Sequence, residues 1–109
     1  MTLQENSLQK DISILELMTL KITKYFSKSI YISDLIYDLE SCLNQLTVVD
    51  KEWKKFFRTT WLDIEVAYSL ALEQGSDEPI NDGDTIVVNS LNILNKMAKE
   101  KIENLKNEL

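Results

Sequence analysis

The sequence predicts an all-α fold: a single small bundle of four, or at most five, mostly antiparallel helices. Three observations carry that expectation. Only two glycines and one proline occur in 109 residues, too few for the many reversals of an all-β domain, while helix formers such as Leu, Lys, Glu and Gln dominate. Apolar side chains recur three and four residues apart in several separate stretches. The segments between them are roughly three to nine residues long, a length that suits antiparallel neighbours. A chain of 109 residues fits one domain with one small core.

Residues 1–12 admit two readings, because both Thr2 to Glu5 and Ser13 to Glu16 match a capping box. The better-supported first helix covers 13–28, with Leu15, Met18, Ile22, Tyr25 and Phe26 along one face and Ile14 and Leu17 widening it. Ser27 to Ser33 lacks a helical period and forms a connection. Ser33 is the expected cap of a second helix over 34–46, whose apolar positions are Leu35, Ile36, Leu39, Cys42, Leu43 and Leu46. Asp34 falls in its first turn, where the helix dipole favours a carboxylate.

The third helix, over 51–74, is the stretch around which the rest is expected to pack. Asp50 is its N-cap and Gly75 lies just past its C-terminus. At about 100° per residue, Trp53, Phe56, Phe57, Thr60, Trp61, Ile64, Ala67, Tyr68 and Ala71 share one face. Leu62, Val66 and Leu70 form a narrower second stripe behind it. Apolar surface on two sides predicts a central helix. Ser76 to Asp84 then holds the only proline and the second glycine, so it is a loop. The last helix covers 84–106, capped by Asp82 or Asp84, with Ile86 or Val87, Leu91, Leu94, Met97, Ala98, Ile102 and Leu105 facing inward.

The formal net charge is −6, and its distribution says more than its size. Ser29 to Asp50 contains four acidic residues and no basic one; Thr59 to Asn95 contains seven and again no basic one. Positive charge sits in three patches, Lys10 to Lys28, Lys51 to Arg58 and Lys96 to Lys106. That layout is unfavourable for nucleic acid, which needs a basic stripe. It fits either a merely solubilising surface or a docking surface for a basic protein. No apolar run reaches membrane-spanning length, and the first residues lack the basic and apolar regions of a signal peptide. The lone Cys42 cannot form an internal disulfide and suits a reducing compartment. A soluble cytoplasmic protein is the expectation.

Little in the chain suggests catalysis. It contains no histidine, which removes the commonest general base and every Ser-His or Cys-His nucleophile. Cys42 lies on an apolar face, where a small buried hydrophobe is expected. Both glycines are isolated, so no phosphate loop occurs. A calcium loop placed with Gly83 at its sixth position would put Ile80 at the third, where it cannot ligate, and lacks the closing glutamate. No enzyme activity, cofactor or metal is therefore expected. The residues singled out for partner contact are acids and aromatics: Asp34, Tyr37 and Asp38 on the second helix, Trp61 and Glu65 at the edge of the third, and Asp77, Glu78, Asp82 and Asp84 around the loop. Trp61 and Tyr68 also suit core packing, and edge aromatics beside acids suit an interface.

The run from Phe26 to Leu46, followed by Trp53, Phe57, Trp61, Glu65, Tyr68 and Ala71, resembles small bacterial immunity proteins. These are helical partners of polymorphic toxins, including contact-dependent growth inhibition and colicin-type systems. The resemblance covers about residues 14–75. It implies a protein that binds and blocks a cognate toxin C-terminal domain, commonly a nuclease, and an acidic helical protein would be steered onto a basic one. The alternative is a helical adaptor or antitoxin-like regulator with another protein partner. Neither reading involves nucleic acid or a membrane. A monomer is expected, with Leu62, Val66 and Leu70 as the seam if a dimer forms.

Overall fold

The earlier of the two capping boxes starts the first helix. Thr2 Oγ1 accepts from Glu5 N at 3.1 Å, and helix α1 runs unbroken over Leu3–Phe26, not from Ser13. The apolar period begins before Ser13, with Leu8, Asp11 and Ile12 buried in line with Leu15, Met18 and Ile22. The computed structural model describes residues 2–109 and adds α2 (Ile32–Gln45), α3 (Lys51–Glu73) and α4 (Asp82–Lys106). No strand occurs among the described residues. The all-α bundle expected from the sequence is the one observed.

Each helix packs against two others, in the cyclic order α1, α2, α3, α4 and back to α1, and the diagonal pairs do not approach. Polar links fix the directions. Asp11, early in α1, bonds to Thr47 just after α2, while Tyr25, late in α1, reaches Glu78 in the loop before α4. Lys101 near the end of α4 pairs with Asp50 at the start of α3, at 3.6 Å. The helices therefore run up, down, up and down in a body 51 × 26 × 18 Å. Leu15, Met18, Ile22, Ile32, Leu35, Leu39, Phe57, Ile64, Val87, Leu91 and Leu94 fill its axis.

The third helix is not central. It touches α2 and α4 only, and its second stripe of Leu62, Val66 and Leu70 lies on the outside. Phe56, which the helical wheel puts on the main face, is 71 % exposed. In a four-membered ring a helix buries only the arc facing the axis; Phe57 takes that position, and Phe56 is turned about 100° away from it. Trp53 instead stacks on Phe57, ring centroids 5.3 Å apart.

Helix ends show which local signals were used. Asp50 caps α3 as expected, accepting from Trp53 N at 3.2 Å, and that bond holds its carboxyl below the ordinary value of 3.8. α3 closes in a Schellman motif, with Ser76 N to Ala71 O at 2.9 Å, Gly75 N to Leu72 O at 3.0 Å and Gly75 at φ +82°. α1 closes the same way, except that Lys28 occupies the left-handed position at φ 63°. Ser33 does not cap α2: the cap position is Tyr31, whose side chain makes no cap bond, and Ile32 N donates to Glu78 Oε1 at 3.2 Å. Neither Asp82 nor Asp84 caps α4. Asn81 precedes it, without a side-chain cap bond, and both aspartates sit inside the first turn, where the dipole favours them.

The α2–α3 connection is held from across the bundle. Asp11 is fully buried on α1. Its carboxylate accepts from Thr47 N at 3.0 Å, Val48 N at 2.8 Å and Val49 N at 3.1 Å, and from Thr47 Oγ1 at 3.2 Å. Lys54 Nζ donates to Leu46 O at 2.6 Å on the same connection. Three successive N–H groups thus find acceptors without water, and Val49 is free to bury its side chain.

Two substitutions test this account. Asp11→Ala leaves three N–H groups without their acceptor and should cost on the order of 3–5 kcal/mol in urea unfolding; a loss below about 1 kcal/mol would mean that water replaces the carboxylate. Lys28→Gly removes the left-handed cost at an exposed site and should stabilise by about 0.5–1 kcal/mol, read as a higher unfolding midpoint.

Candidate functional site

The up-down order brings the end of α1, the start of α2 and the α3–α4 loop together at one end of the bundle. That end is acidic. Glu73, Asp77, Glu78, Asp82 and Asp84 come from the cation-free segment, and Asp34 joins them from the first turn of α2. Lys24 and Lys28, in and just after the last turn of α1, are the basic residues beside them. The opposite end carries the basic patches of α3 and α4, so charge is polarised along the long axis.

A cleft of about 500 Å³ opens there between the α1–α2 connection and the α3–α4 loop. Tyr25, Phe26 and Tyr31 line one side of it, and Asp77, Glu78 and Asp84 the other. Tyr31 is largely exposed and Phe26 partly so. Sequence reasoning named the three acids and missed these aromatics. Tyr31 lay in a segment without helical period, and Phe26 was assigned to an inward face.

Glu78 is the anchor of this cleft. Its Oε2 accepts from the Tyr25 hydroxyl at 3.1 Å and its Oε1 from Ile32 N at 3.2 Å, so a loop residue supplies the cap that α2 lacks. Ser76 Oγ donates to Glu78 O at 2.6 Å and shapes the turn. Burial, and then the neighbouring Glu78 carboxylate, raise the Tyr25 phenol above its ordinary 10.0.

The other candidate residues fall in different places. Asp34 and Tyr37 are exposed on the outer face of α2, Tyr37 at 72 %. Asp38 pairs with Lys21 of α1 at 3.1 Å. Trp61 is buried, and its Nε1 donates to Ile36 O at 3.0 Å, tying α3 to α2. Arg58 lies over the Trp61 ring at 6.0 Å while reaching Glu40 and Asn44. Glu65 is half-buried on α3. Asp82 lies with Asp63 along the separate seam between α3 and α4. The structure therefore joins Asp77, Glu78 and Asp84 in one cleft, sets Asp34 and Tyr37 on α2 nearby, and removes Trp61 from the surface. Asp34, Asp77, Asp82 and Asp84 make no ion pair among the described residues.

Cys42 is buried, and burial raises its thiol above the ordinary 9.0, with Asp38 adding to the effect. Such a thiol is a packing group, not a reactive one. No group of three or more His, Cys, Asp or Glu side chains with metal-holding geometry occurs among the described residues, and no described helix is long and apolar enough to cross a membrane. No family model, curated protein or solved structure matches this chain.

The Tyr25 shift has a signed consequence. A phenol raised by folding stays protonated in the native state while the unfolded chain ionises near 10.0, so its contribution is complete below that pH and is lost as pH rises above it. Tyr25→Phe should therefore flatten the decline of stability above pH 10.0, measured by urea unfolding at a series of alkaline pH values. An unchanged slope would separate Tyr25 from that decline.

Proposed function

We propose that this protein is an immunity-type inhibitor that binds and neutralises a basic toxin domain, a nuclease, through its acidic end. One observation carries the reading: at a single end of the bundle, unpaired carboxylates (Asp77, Asp84) line a cleft with the exposed aromatic Tyr31. Acids supply steering toward a basic partner. Aromatics on a preformed surface supply the desolvated contacts that hold it. Asp34 and Tyr37 extend the surface along α2, whereas Glu78 serves by fixing the cleft's shape. Inhibition requires only that the bound protein cover the active site or exclude substrate beside it. The resemblance to toxin immunity proteins over residues 14–75 points the same way.

The test is co-expression with the C-terminal domain of any large secreted protein whose gene directly precedes this one. Wild-type protein should restore growth and co-purify with that domain. Asp77→Lys/Asp84→Lys should keep its helical spectrum, associate at least about tenfold more slowly at low salt, and lose protection. A charge-reversed protein that protects fully would refute the surface; a wild-type protein that neither binds nor protects would refute the function.

A further inference from the structure

The cleft at the acidic end has two chemically unlike sides. Tyr25, Phe26 and Tyr31 form one of them, with the Tyr25 and Phe26 rings tilted against each other, centroids 6.3 Å apart. Tyr31 is 68 % exposed and Phe26 42 %, so aromatic surface stays open to an entering group. The remaining apolar lining, Ile30, Pro79 and Val88, is buried or half-buried. A space of about 500 Å³ lies in the range of sites that enclose a small group on mostly apolar walls with a few polar contacts. It has room for one long side chain of a partner.

The other side carries Asp77, Glu78 and Asp84. Glu78 is committed to the fold, one oxygen accepting from the Tyr25 hydroxyl and the other from Ile32 N. Asp77 and Asp84 are exposed and make no ion pair among the described residues. Lys28 is the basic residue that lines the cleft, and Lys24 stands in the last turn of α1 behind it. Both lysines are exposed, and neither pairs with these acids. Three acids against one lysine leave the cleft negative, with two carboxylates free. We propose that it receives one arginine side chain of a protein partner, the guanidinium laid against Tyr31 and bonded at its edge to Asp77 and Asp84. This inference deepens the reading of a basic toxin partner and rests on it.

Shape and chemistry select the guanidinium. It is planar, so a face can lie on a ring while the edge donates to carboxylates opposite. Its five donors can serve two carboxylates at once. A lysine ammonium is a compact, strongly hydrated charge with no flat face for the ring. A quaternary ammonium has no donor, so the aspartates would lose water without gaining a hydrogen bond. An uncharged side chain would fill the apolar part and leave both carboxylates unanswered. The bundle contains the proposed arrangement once already: Arg58 lies over the Trp61 ring at 6.0 Å while reaching Glu40 and Asn44.

The probe is N-acetyl-arginine N-methylamide, titrated into the isotope-labelled full chain and read by backbone amide shifts in NMR. Shifts should concentrate at Tyr31, Asp77 and Asp84, with a Kd on the order of 1–10 mM, as a few charge-assisted bonds and one ring contact allow. The uncharged citrulline analogue should bind at least about tenfold more weakly, and the lysine analogue about threefold. Asp77→Asn/Asp84→Asn should lower the affinity at least about tenfold and Tyr31→Leu about threefold, each with an unchanged helical spectrum. Lys28→Gly removes the competing charge and should raise it about twofold. Asp63→Asn, on the separate α3–α4 seam, should leave it unchanged. No localised shift at about 50 mM probe, an equal response to the citrulline analogue, or tighter binding of tetramethylammonium would overturn the arginine site. A protein that takes the arginine probe yet fails to protect in co-expression would refute the inhibitor function and uphold the site.

Discussion

Three consecutive N–H groups, those of Thr47, Val48 and Val49, converge on the one carboxylate of Asp11, and the angle between α2 and α3 depends on that convergence. A turn that enters the core must satisfy its backbone polar groups without water. Because the acceptor stands on α1, the bond set also fixes how far α2 descends along α1 before the chain reverses. Leu46 and Val49 are then held in the core on either side of the turn. The opposite end has a weaker counterpart in Glu78, which closes the N-terminus of α2 from the α3–α4 loop and receives the Tyr25 hydroxyl. Both ends of the short helix α2 are thus held by carboxylates from other elements.

This arrangement divides the acidic residues into two groups. Asp11, Asp50 and Glu78 hold backbone N–H groups and belong to the fold. Asp34, Asp82 and Asp84 lie in the first turns of helices, Asp77 lies in the loop between α3 and α4, and none of the four makes an ion pair among the described residues. The helix dipole favours Asp34, Asp82 and Asp84 where they are, yet the up-down topology crowds all four at one end, and the resulting field extends beyond any one pair. A local preference repeated at two adjacent helix starts thereby becomes a surface with a sign. The same topology lays the apolar edges of α3 and α4 side by side, away from that end.

Much of the fold was legible from spacing. The 3–4 period located α2, α3, α4 and the second half of α1, Asp50 and Gly75 marked the ends of α3, and Leu35, Leu39 and Leu43 face inward as their spacing requires. Legibility failed where two local signals were equivalent or where the partner was distant in sequence. Thr2 and Ser13 offered the same capping box, and only the burial of Leu8 and Ile12 decides between them. Ser33 looked like a cap because nothing nearby shows that Glu78, 46 residues along, does that work. Of the candidate site, the loop acids were visible as a charge run. Tyr31 and Phe26 were not, because their role depends on which connection lies beside which loop.

The sequence alone determined that the chain is a helical bundle, where α2, α3 and α4 lie, and that its charge is segregated, since these follow from periodicity, capping chemistry and composition within one or two turns. Only the tertiary structure decided that Asp11 and Glu78 are ties, that Trp61 is inside and Phe56 outside, and that α3 is one of four staves and not a centre. The physical reason is that a helical wheel gives direction but not depth. Four helices in a ring have one axis to bury against, and which side chain of a wide apolar face reaches it is set by the neighbours.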